Sequence, residues 1–332
     1  MKTRYIFSMG EIKRKDNSIA FKSEKGWVYI PVEQVRELYF MNEVSLNSKF
    51  LDFAARAGIV FHFFNYHGNY FGSFYPKEKY ISGKLTIKQA LAYENINDRL
   101  TIAKAIVKAI ASNIYEVLYH YYRHDKKELK PFLDYLKKVE VYLKKAKEIN
   151  QIMFIEGNVW SGFYDSFKYF LPLDFIMNKR VKRPPDNPMN ALISFGNTLL
   201  YTKTISAIYQ THLNQSISYL HSPSTARFSL SLDLSEAFKP IIVFKTIFEL
   251  VNRKKLKVEK HFDKNFNYAL LNNEGKKIFI EAFENRLNEK FKHSKLKRMV
   301  SYSTAIKLDG YKLIKFFLER REFIPFLLKE KK

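Results

Sequence analysis

Side chains that can bind a metal or move a proton occur in two short stretches of this sequence. In the second stretch, His221 is followed by Asp233 and Glu236. If the segment from Leu232 onward is helical, the two carboxylates are three residues apart and share one helix face. That face could bind a divalent cation.

The first stretch supplies another carboxylate, Glu156, directly after the apolar run Ile152–Ile155. An unpaired charge beside apolar residues is costly unless it finds a partner or a metal. A simpler interpretation stays open at this point, because an isolated histidine followed by acidic residues is commonly a satisfied core or surface group. Because Glu156 adds a carboxylate that needs a partner, we hypothesise that it binds one cation together with residues of the second stretch.

Four ordered motifs support this hypothesis. They are Glu156-Gly157, Leu220-His221, the segment from Ser231 to Glu236 followed by Lys239-Pro240, and the segment from Arg183 to Gly196. Together they resemble the CRISPR-associated protein one family, the integrase and DNA nuclease of spacer acquisition, and in particular its type I members. The resemblance spans nearly the whole chain.

The resemblance implies specific site residues. The metal ligands of the family fall on Glu156, His221 and Glu236, and Asp233 is a nearby acidic residue expected to take part in catalysis. Two carboxylates and one imidazole suit Mn²⁺ or Mg²⁺, and the histidine favours Mn²⁺. In the family reaction a DNA 3′-hydroxyl attacks a phosphodiester, whereas hydrolysis uses water.

Basic residues near these motifs are candidates for DNA contact. Arg180, Lys182 and Arg183 lie in a basic run that ends at two prolines, which lower the ordering cost of a loop. Arg227 and Lys239 are assigned to steadying phosphate charge. A basic linker between helices remains the alternative for the run, and ordinary surface salt bridges remain the alternative for Arg227 and Lys239.

The sequence departs from the family pattern at a few positions. Many members have tyrosine where this chain has Asn197, and basic residues often follow the Glu-Gly pair where this chain has Trp160 and Ser161. We expect these changes to affect DNA contacts more than metal binding. Trp160 is expected to pack the site, with a base-stacking role as the alternative.

Charge and composition limit the class of partner. The chain has 57 Lys and Arg against 33 Asp and Glu, a net charge of +24, which implies a polyanionic partner. No run of 18 or more apolar residues, lipidation signal or secretory leader favours a membrane. The absence of cysteine excludes disulfides and thiolate chemistry, so we expect a cytoplasmic protein that binds nucleic acid.

The hydrophobic pattern changes near residue 80. Before it, short segments rich in Tyr, Phe, Ile and Val predict strands, with a short helix capped by Ser45 and ended by Gly58. After it, helical periodicity takes over, as in the stripe Ile102, Ile106, Ile110, Ile114 and Leu118. The prediction is an α+β fold, with a small β-sandwich-like domain (residues 1–80), a linker (81–85) and a larger all-α catalytic and DNA-binding domain (86–332).

The resemblance also implies partners. They are double-stranded DNA with single-stranded ends, the CRISPR repeat DNA, a second copy of the chain joined through the N-terminal β domains, and CRISPR-associated protein two. The leading hypothesis is a metal-dependent integrase and endonuclease that inserts spacers into a CRISPR array. The alternatives are a non-catalytic basic DNA scaffold of the same assembly and a basic protein that coats an anionic membrane.

Overall fold

The computed structural model describes residues 2–78, 80–223, 227–263, 269–293 and 296–328. The chain divides into two compact units, Met1–Lys79 and Tyr80–Lys332. The first helix of the second unit begins at Gly83, with the Ser82 side chain accepting from Leu85 N. The predicted linker 81–85 is therefore wrong at its end, because its last three residues are helical.

The first unit consists of two four-stranded sheets and one helix. The sheet order is β1-β5-β7-β8 in one and β4-β3-β2-β6 in the other. The elements are β1 (Lys2–Ile6), β2 (Gly10–Lys15), β3 (Ser18–Ser23), β4 (Gly26–Pro31), β5 (Val35–Phe40), β6 (Val44–Leu46), α1 (Ser48–Ala57), β7 (Val60–Phe64) and β8 (Tyr70–Phe74). Strands of both sheets contribute to one buried apolar cluster, and this confirms the predicted sandwich-like fold.

Two strands of this unit were not predicted. β2 is a charged strand in which only Ile12 is buried, so its pattern lacks the apolar runs that mark a strand. β6 contains Ser45, which was predicted to cap α1. The cap is instead Asn47, whose side chain accepts from Phe50 N at 3.0 Å, because residues 44–46 are extended and pair with β2.

The second unit is mostly helical, as predicted. Its helices are α2 (Gly83–Glu94), α3 (Ile96–Arg123), α4 (Lys130–Lys145), α5 (Ile149–Asp165), α6 (Pro188–Tyr209), α7 (Ser229–Glu236), α8 (Lys245–Asn252), α9 (Val258–His261), α10 (Asn273–Asn288) and α11 (Tyr302–Glu319). Two short antiparallel pairs were not predicted: β9 (Phe262–Asp263) with β10 (Leu270–Leu271), and β11 (Lys290–Lys292) with β12 (Met299–Ser301). None of the described helices is long and apolar enough to cross a membrane.

The core of this unit forms around α3 and α6. The predicted stripe on α3 is buried at every position from Ile102 to Leu118. α2 and α3 are separated at Asn95, whose side chain accepts from Asn97 N and Asp98 N. Because an asparagine cap satisfies backbone donors that the helix itself cannot pair, it starts α3 at a defined residue.

Gly196 allows α6 to pack closely against two elements that follow α7 in the chain. A Cβ at this position would lie 2.6 Å from Val243 Cγ1 and 2.9 Å from Phe279 Cζ. Val243 belongs to the π-helical segment Pro240–Phe244, which connects α7 to α8. This close packing holds the Pro240–Phe244 segment, and with it α7, against α6. Two of the predicted site residues, Asp233 and Glu236, lie on α7.

Candidate active site

Three elements carry the predicted site residues. Glu156 lies in the middle of α5, Asp233 and Glu236 lie on α7, and His221 lies in the segment between α6 and α7. Both carboxylates of α7 are buried, whereas Glu156 and His221 are partly exposed. The site therefore has a buried floor formed by α7 and an accessible side formed by α5 and the His221 segment.

Asp233 holds the His221 segment onto α7. Its Oδ2 accepts from the backbone N–H of Tyr219 at 2.7 Å and of Leu220 at 2.9 Å. Its Oδ1 accepts from the His221 backbone N–H at 3.1 Å and from the His221 ring Nδ1 at 2.7 Å. A carboxylate with this many donors is committed to structure, so Asp233 orients the imidazole.

The contact to Asp233 selects one nitrogen of His221 for chemistry. A proton on Nδ1 that is donated to Asp233 leaves the lone pair on Nε2. Burial acts to lower the pKa of His221, but the hydrogen bond and charge of Asp233, together with the charges of Glu236 and Glu156, outweigh burial and raise the pKa overall. His221 therefore faces a negative environment that contains both other predicted ligands.

Glu236 has one oxygen engaged and one without a partner. Its Oε1 accepts from the ammonium of Lys239, three residues later on the same helical path. Its Oε2 is buried and has no hydrogen-bond partner among the described residues. A buried carboxylate oxygen without a donor carries a desolvation cost unless a cation or water contacts it.

Glu156 lies near this second carboxylate. Burial raises the pKa of Glu156, and the negative charge of Glu236 raises it further. The charges of Lys239 and His221, with a hydrogen bond from Trp160, act in the opposite direction. The structure thus brings Glu156, His221 and Glu236 within electrostatic range of one another, although they are far apart in sequence.

The donor set fits a divalent cation in its chemistry. Two carboxylates and an imidazole with a free Nε2 are ligands that Mn²⁺ and Mg²⁺ accept, and the bare Oε2 of Glu236 is an available donor. The side chains are not in ligand geometry, however: within the described ranges, no group of three His, Cys, Asp or Glu side chains is placed to hold a metal ion. At Glu236, the ammonium of Lys239 is the cation that pairs with the carboxylate.

Trp160 has a contact that the sequence reasoning did not predict. The side chain is buried, as expected for a packing residue. Its indole N–H also acts to lower the pKa of Glu156, and the Lys239 ammonium lies 5.8 Å from its ring centroid. The spacing of four residues between Glu156 and Trp160 on one helix was the available sequence signal.

Arg180 lies in a different environment from the one expected of a DNA contact. Its guanidinium donates to Asn190 Oδ1 at 3.0 Å and to Ser194 Oγ at 2.8 Å. Burial lowers its pKa, and the neighbouring Tyr164 acts against that shift. These contacts join the basic run to α6, so Arg180 has a structural role whether or not it meets DNA.

The other predicted DNA contacts differ in exposure. Lys182, Arg183 and Arg227 are exposed, which is compatible with a phosphate contact. Lys239 is mostly buried and forms an ion pair, the alternative that the sequence left open, but with a site carboxylate rather than at the surface. Asn197, at the position where the family often has tyrosine, has a buried Oδ1 that meets no hydrogen-bond partner in the part of the chain that the structure describes.

A cavity of about 300 Å³ opens beside α5, next to Glu156. Its lining includes Gly157, Trp160, Tyr164, Asn178, Lys179 and Arg180. Aromatic rings and basic groups around such a space are typical of sites for single-stranded nucleic acid. The cavity therefore connects the basic run with the helix that carries Glu156.

Comparison with known proteins places the chain among CRISPR-associated proteins. The model of the family "CRISPR associated protein Cas1" matches residues 4–285. A CRISPR-associated endonuclease Cas1 of Fusobacterium nucleatum is 42% identical over 323 residues, covering 97% of this chain and 95% of that protein. One from Thermotoga maritima is 41% identical over 324 residues, covering 97% and 99%.

Solved structures share the fold. A CAS1 protein from Thermotoga maritima superposes with a TM-score of 0.87 at 38% identity, with 100% of both chains covered. A casposase bound to integration product gives the same TM-score of 0.87 at 19% identity, covering 100% of this chain and 95% of that one. At that lower identity the likeness concerns the fold alone.

Proposed function

The chain belongs to the Cas1 family of CRISPR-associated proteins, and from this premise we propose that it is a metal-dependent DNA endonuclease and integrase. In this proposal it inserts short DNA fragments into a CRISPR array through attack of a 3′-hydroxyl on a phosphodiester. The observation that carries the proposal is the convergence of Glu156, His221 and Glu236 from three separate elements. Relatives at 42% identity are named CRISPR-associated endonucleases.

The chain's own residues have distinct parts in this chemistry. Glu156, Glu236 and the Nε2 of His221 would hold the divalent ion, and Asp233 would orient His221 through its hydrogen bond at 2.7 Å. When bound, the ion supplies Lewis-acid polarisation of the phosphate and activation of the attacking oxygen. Because both cutting and joining need the same phosphate geometry, one site suffices for hydrolysis and strand transfer.

DNA is the substrate that the charge distribution favours. The net charge of +24 and the exposed Lys182, Arg183 and Arg227 attract a phosphate backbone. The lining of the cavity beside α5 includes the aromatic Trp160 and Tyr164 and the basic Lys179 and Arg180, together with the acidic Asp165, and we infer that a single-stranded end enters it. We infer that the substrate is double-stranded DNA with single-stranded ends, and that the target is repeat DNA.

Protein partners follow from the family. We infer a homodimer through the N-terminal β units, because joining two DNA ends with one site per chain requires more than one copy. A solved Cas6-RT-Cas1–Cas2 complex contains a chain of this fold, with a TM-score of 0.85 at 20% identity. It supports Cas2 as the second partner.

The test separates catalysis from DNA binding. Purified protein with Mn²⁺ and a DNA carrying free 3′-hydroxyl ends should cleave DNA and join it to a repeat-containing duplex. Glu156→Gln and His221→Ala should reduce both products by on the order of 10³-fold or more, because they remove predicted metal ligands. DNA binding measured by fluorescence anisotropy without a divalent ion should stay within about twofold of the wild-type value and stay salt-sensitive.

The matched control is Glu148→Gln, which removes an exposed carboxylate at the N-terminal boundary of α5. It should leave both products unchanged. Wild-type protein that binds DNA but forms no product with Mn²⁺ or Mg²⁺ would favour a non-catalytic scaffold instead. Full activity in both ligand variants would overturn the site assignment.

A further inference from the structure

Lys239 is a buried cation at the proposed metal site. Its side chain is 14% exposed and that of Glu236 is 4% exposed, so their ion pair is largely withdrawn from water. Solvent screens such a pair much less than a surface pair. Breaking it without a replacement cation leaves a buried charge uncompensated, which is strongly unfavourable.

The same ammonium interacts with the other carboxylate of the site. Lys239 lies 5.8 Å from the centroid of the Trp160 ring, within the range of a cation–π contact. The charge of Lys239 also acts on Glu156, where it lowers the pKa of that carboxyl. One ammonium therefore offsets negative charge from two helices, α5 and α7.

A divalent ion would bind the same Glu236 carboxylate that pairs with Lys239. Glu236 Oε1 is engaged by Lys239, whereas Oε2 is bare. An ion held by Glu156, Glu236 and His221 would be within a few ångströms of the ammonium unless the lysine side chain moved. Two cations that close repel each other strongly in a partly buried site.

We propose that Lys239 is a built-in competitor of the divalent ion, which pairs with Glu236 when the ion is not bound and turns to a DNA phosphate when the ion binds. The inference rests on the proposed function, because it takes Glu156, His221 and Glu236 as the metal ligands. It adds a role for Lys239 that neither a phosphate contact nor a salt bridge alone would give: metal binding and DNA binding become coupled through one side chain.

The coupling has a defined sign. Metal binding frees the ammonium for phosphate, so the ion should strengthen DNA binding, and by linkage DNA should strengthen metal binding by the same factor. Without Lys239 the coupling should be smaller. The two carboxylates of the site would then face each other without a cation, and this raises their affinity for a divalent ion.

The decisive variant is Lys239→Met, which keeps a long unbranched side chain, one atom shorter, and removes its charge. Calorimetric titration of the full chain with Mn²⁺ should give a Kd about tenfold lower than that of the wild type. The stimulation of DNA binding by Mg²⁺ should fall correspondingly. Lys239→Arg keeps the charge, so its Kd for Mn²⁺ should remain within about threefold of the wild-type value.

The control is Lys168→Met. Lys168 is exposed and also lies over an aromatic ring, 5.1 Å from the centroid of Tyr169, but it does not contact a proposed ligand. Its loss should leave the Mn²⁺ Kd unchanged. This variant separates the local effect of Lys239 from the general loss of one positive charge.

Tryptophan fluorescence gives an independent readout that needs no activity. The chain has two tryptophans, so in a Trp27→Phe background Trp160 is the only one. Titration with Mg²⁺ should shift its emission as the ammonium leaves the ring. In the Lys239→Met variant the emission should already differ before Mg²⁺ is added, and the further shift should be smaller.

The outcomes separate the two proposals. His221-dependent Mn²⁺ binding with equal Kd in wild type and Lys239→Met overturns the competition and leaves the metal site standing. No His221-dependent Mn²⁺ binding in any variant overturns the metal site and the competition together. Tighter binding in Lys239→Met but not in Lys239→Arg or Lys168→Met supports the competition.

Discussion

Each of the two tryptophans of this chain lies near a lysine ammonium, but one tryptophan is exposed to solvent and the other is buried. Trp27 on the edge strand β4 is 38% exposed, and Lys13 lies 4.4 Å from its ring centroid. Trp160 on α5 is 9% exposed, and Lys239 lies 5.8 Å from its ring centroid. The shorter contact is the solvated one, and the longer contact is the one beside two carboxylates.

Burial explains the difference. At β4, water solvates the lysine, so the cation–π contact is worth roughly 0.5–1 kcal/mol and needs no further partner. At α5, the ammonium is removed from water and requires a carboxylate, which it finds in Glu236. The comparison teaches that the same pair of residue types lies at the solvated surface in one unit and beside the buried carboxylates of the candidate site in the other.

The largest effect on stability is expected for Asp233, a buried carboxylate that accepts hydrogen bonds from the backbone. Asp233→Ala removes the acceptor of three backbone N–H groups and of the His221 ring. We expect a loss of about 3–5 kcal/mol in the free energy of unfolding. Urea denaturation followed by far-UV circular dichroism measures it, since most helices lie in the second unit.

An exposed aspartate provides the contrast. Asp52 pairs with Arg56 at the surface of α1, and Asp52→Ala should change stability by less than about 1 kcal/mol. Similar losses for Asp233→Ala and Asp52→Ala would show that burial does not separate the two kinds of site.

Two helical glycines extend the comparison to packing. Gly196→Ala places a Cβ within 3 Å of Val243 and Phe279, so we expect destabilisation of about 1–3 kcal/mol. Gly157→Ala meets nothing within 4 Å and should stabilise α5 by roughly 0.5–1 kcal/mol. Thermal unfolding of the two variants should therefore shift in opposite directions, and a shift in the same direction would contradict the packing argument.

The last comparison concerns conservative changes of the tryptophans themselves. Trp160→Phe retains a ring but removes the N–H that contacts Glu156. We expect about a tenfold loss in Mn²⁺ affinity, as for other partners of metal ligands. Trp27→Phe should leave that affinity unchanged, and calorimetric titration compares the two. Equal affinity in both variants would reduce Trp160 to a packing residue.

Much of the framework was predictable because local rules determine it. The stripe from Ile102 to Leu118 has a period that only a helix places on one face, and Asn95 is a strong helix cap. The two-unit division followed from a change of period near residue 80. The charged strand β2 and the Asn47 cap were missed, because β2 has a single buried side chain and α1 starts where pairing with β2 ends.

The sequence named candidate members of the site but not their contacts. A family resemblance named Glu156, His221, Asp233 and Glu236, and spacing placed Asp233 and Glu236 on one helix. The spacing of three residues between Glu236 and Lys239 allows the two side chains to pair on one helical path, as they do. Nothing in the sequence indicates that Arg180 bonds to Asn190 and Ser194, because these contacts depend on tertiary distances, which periodicity does not report.

The central claim is that Glu156, His221 and Glu236 bind one divalent ion, and anomalous X-ray scattering from crystals of the full chain soaked in Mn²⁺ tests it most directly. The account predicts one strong peak contacted by both carboxylates and by His221 Nε2, with the Lys239 ammonium moved away from Glu236. A Mn²⁺ peak remote from Glu156, in protein that still cleaves DNA, would contradict it.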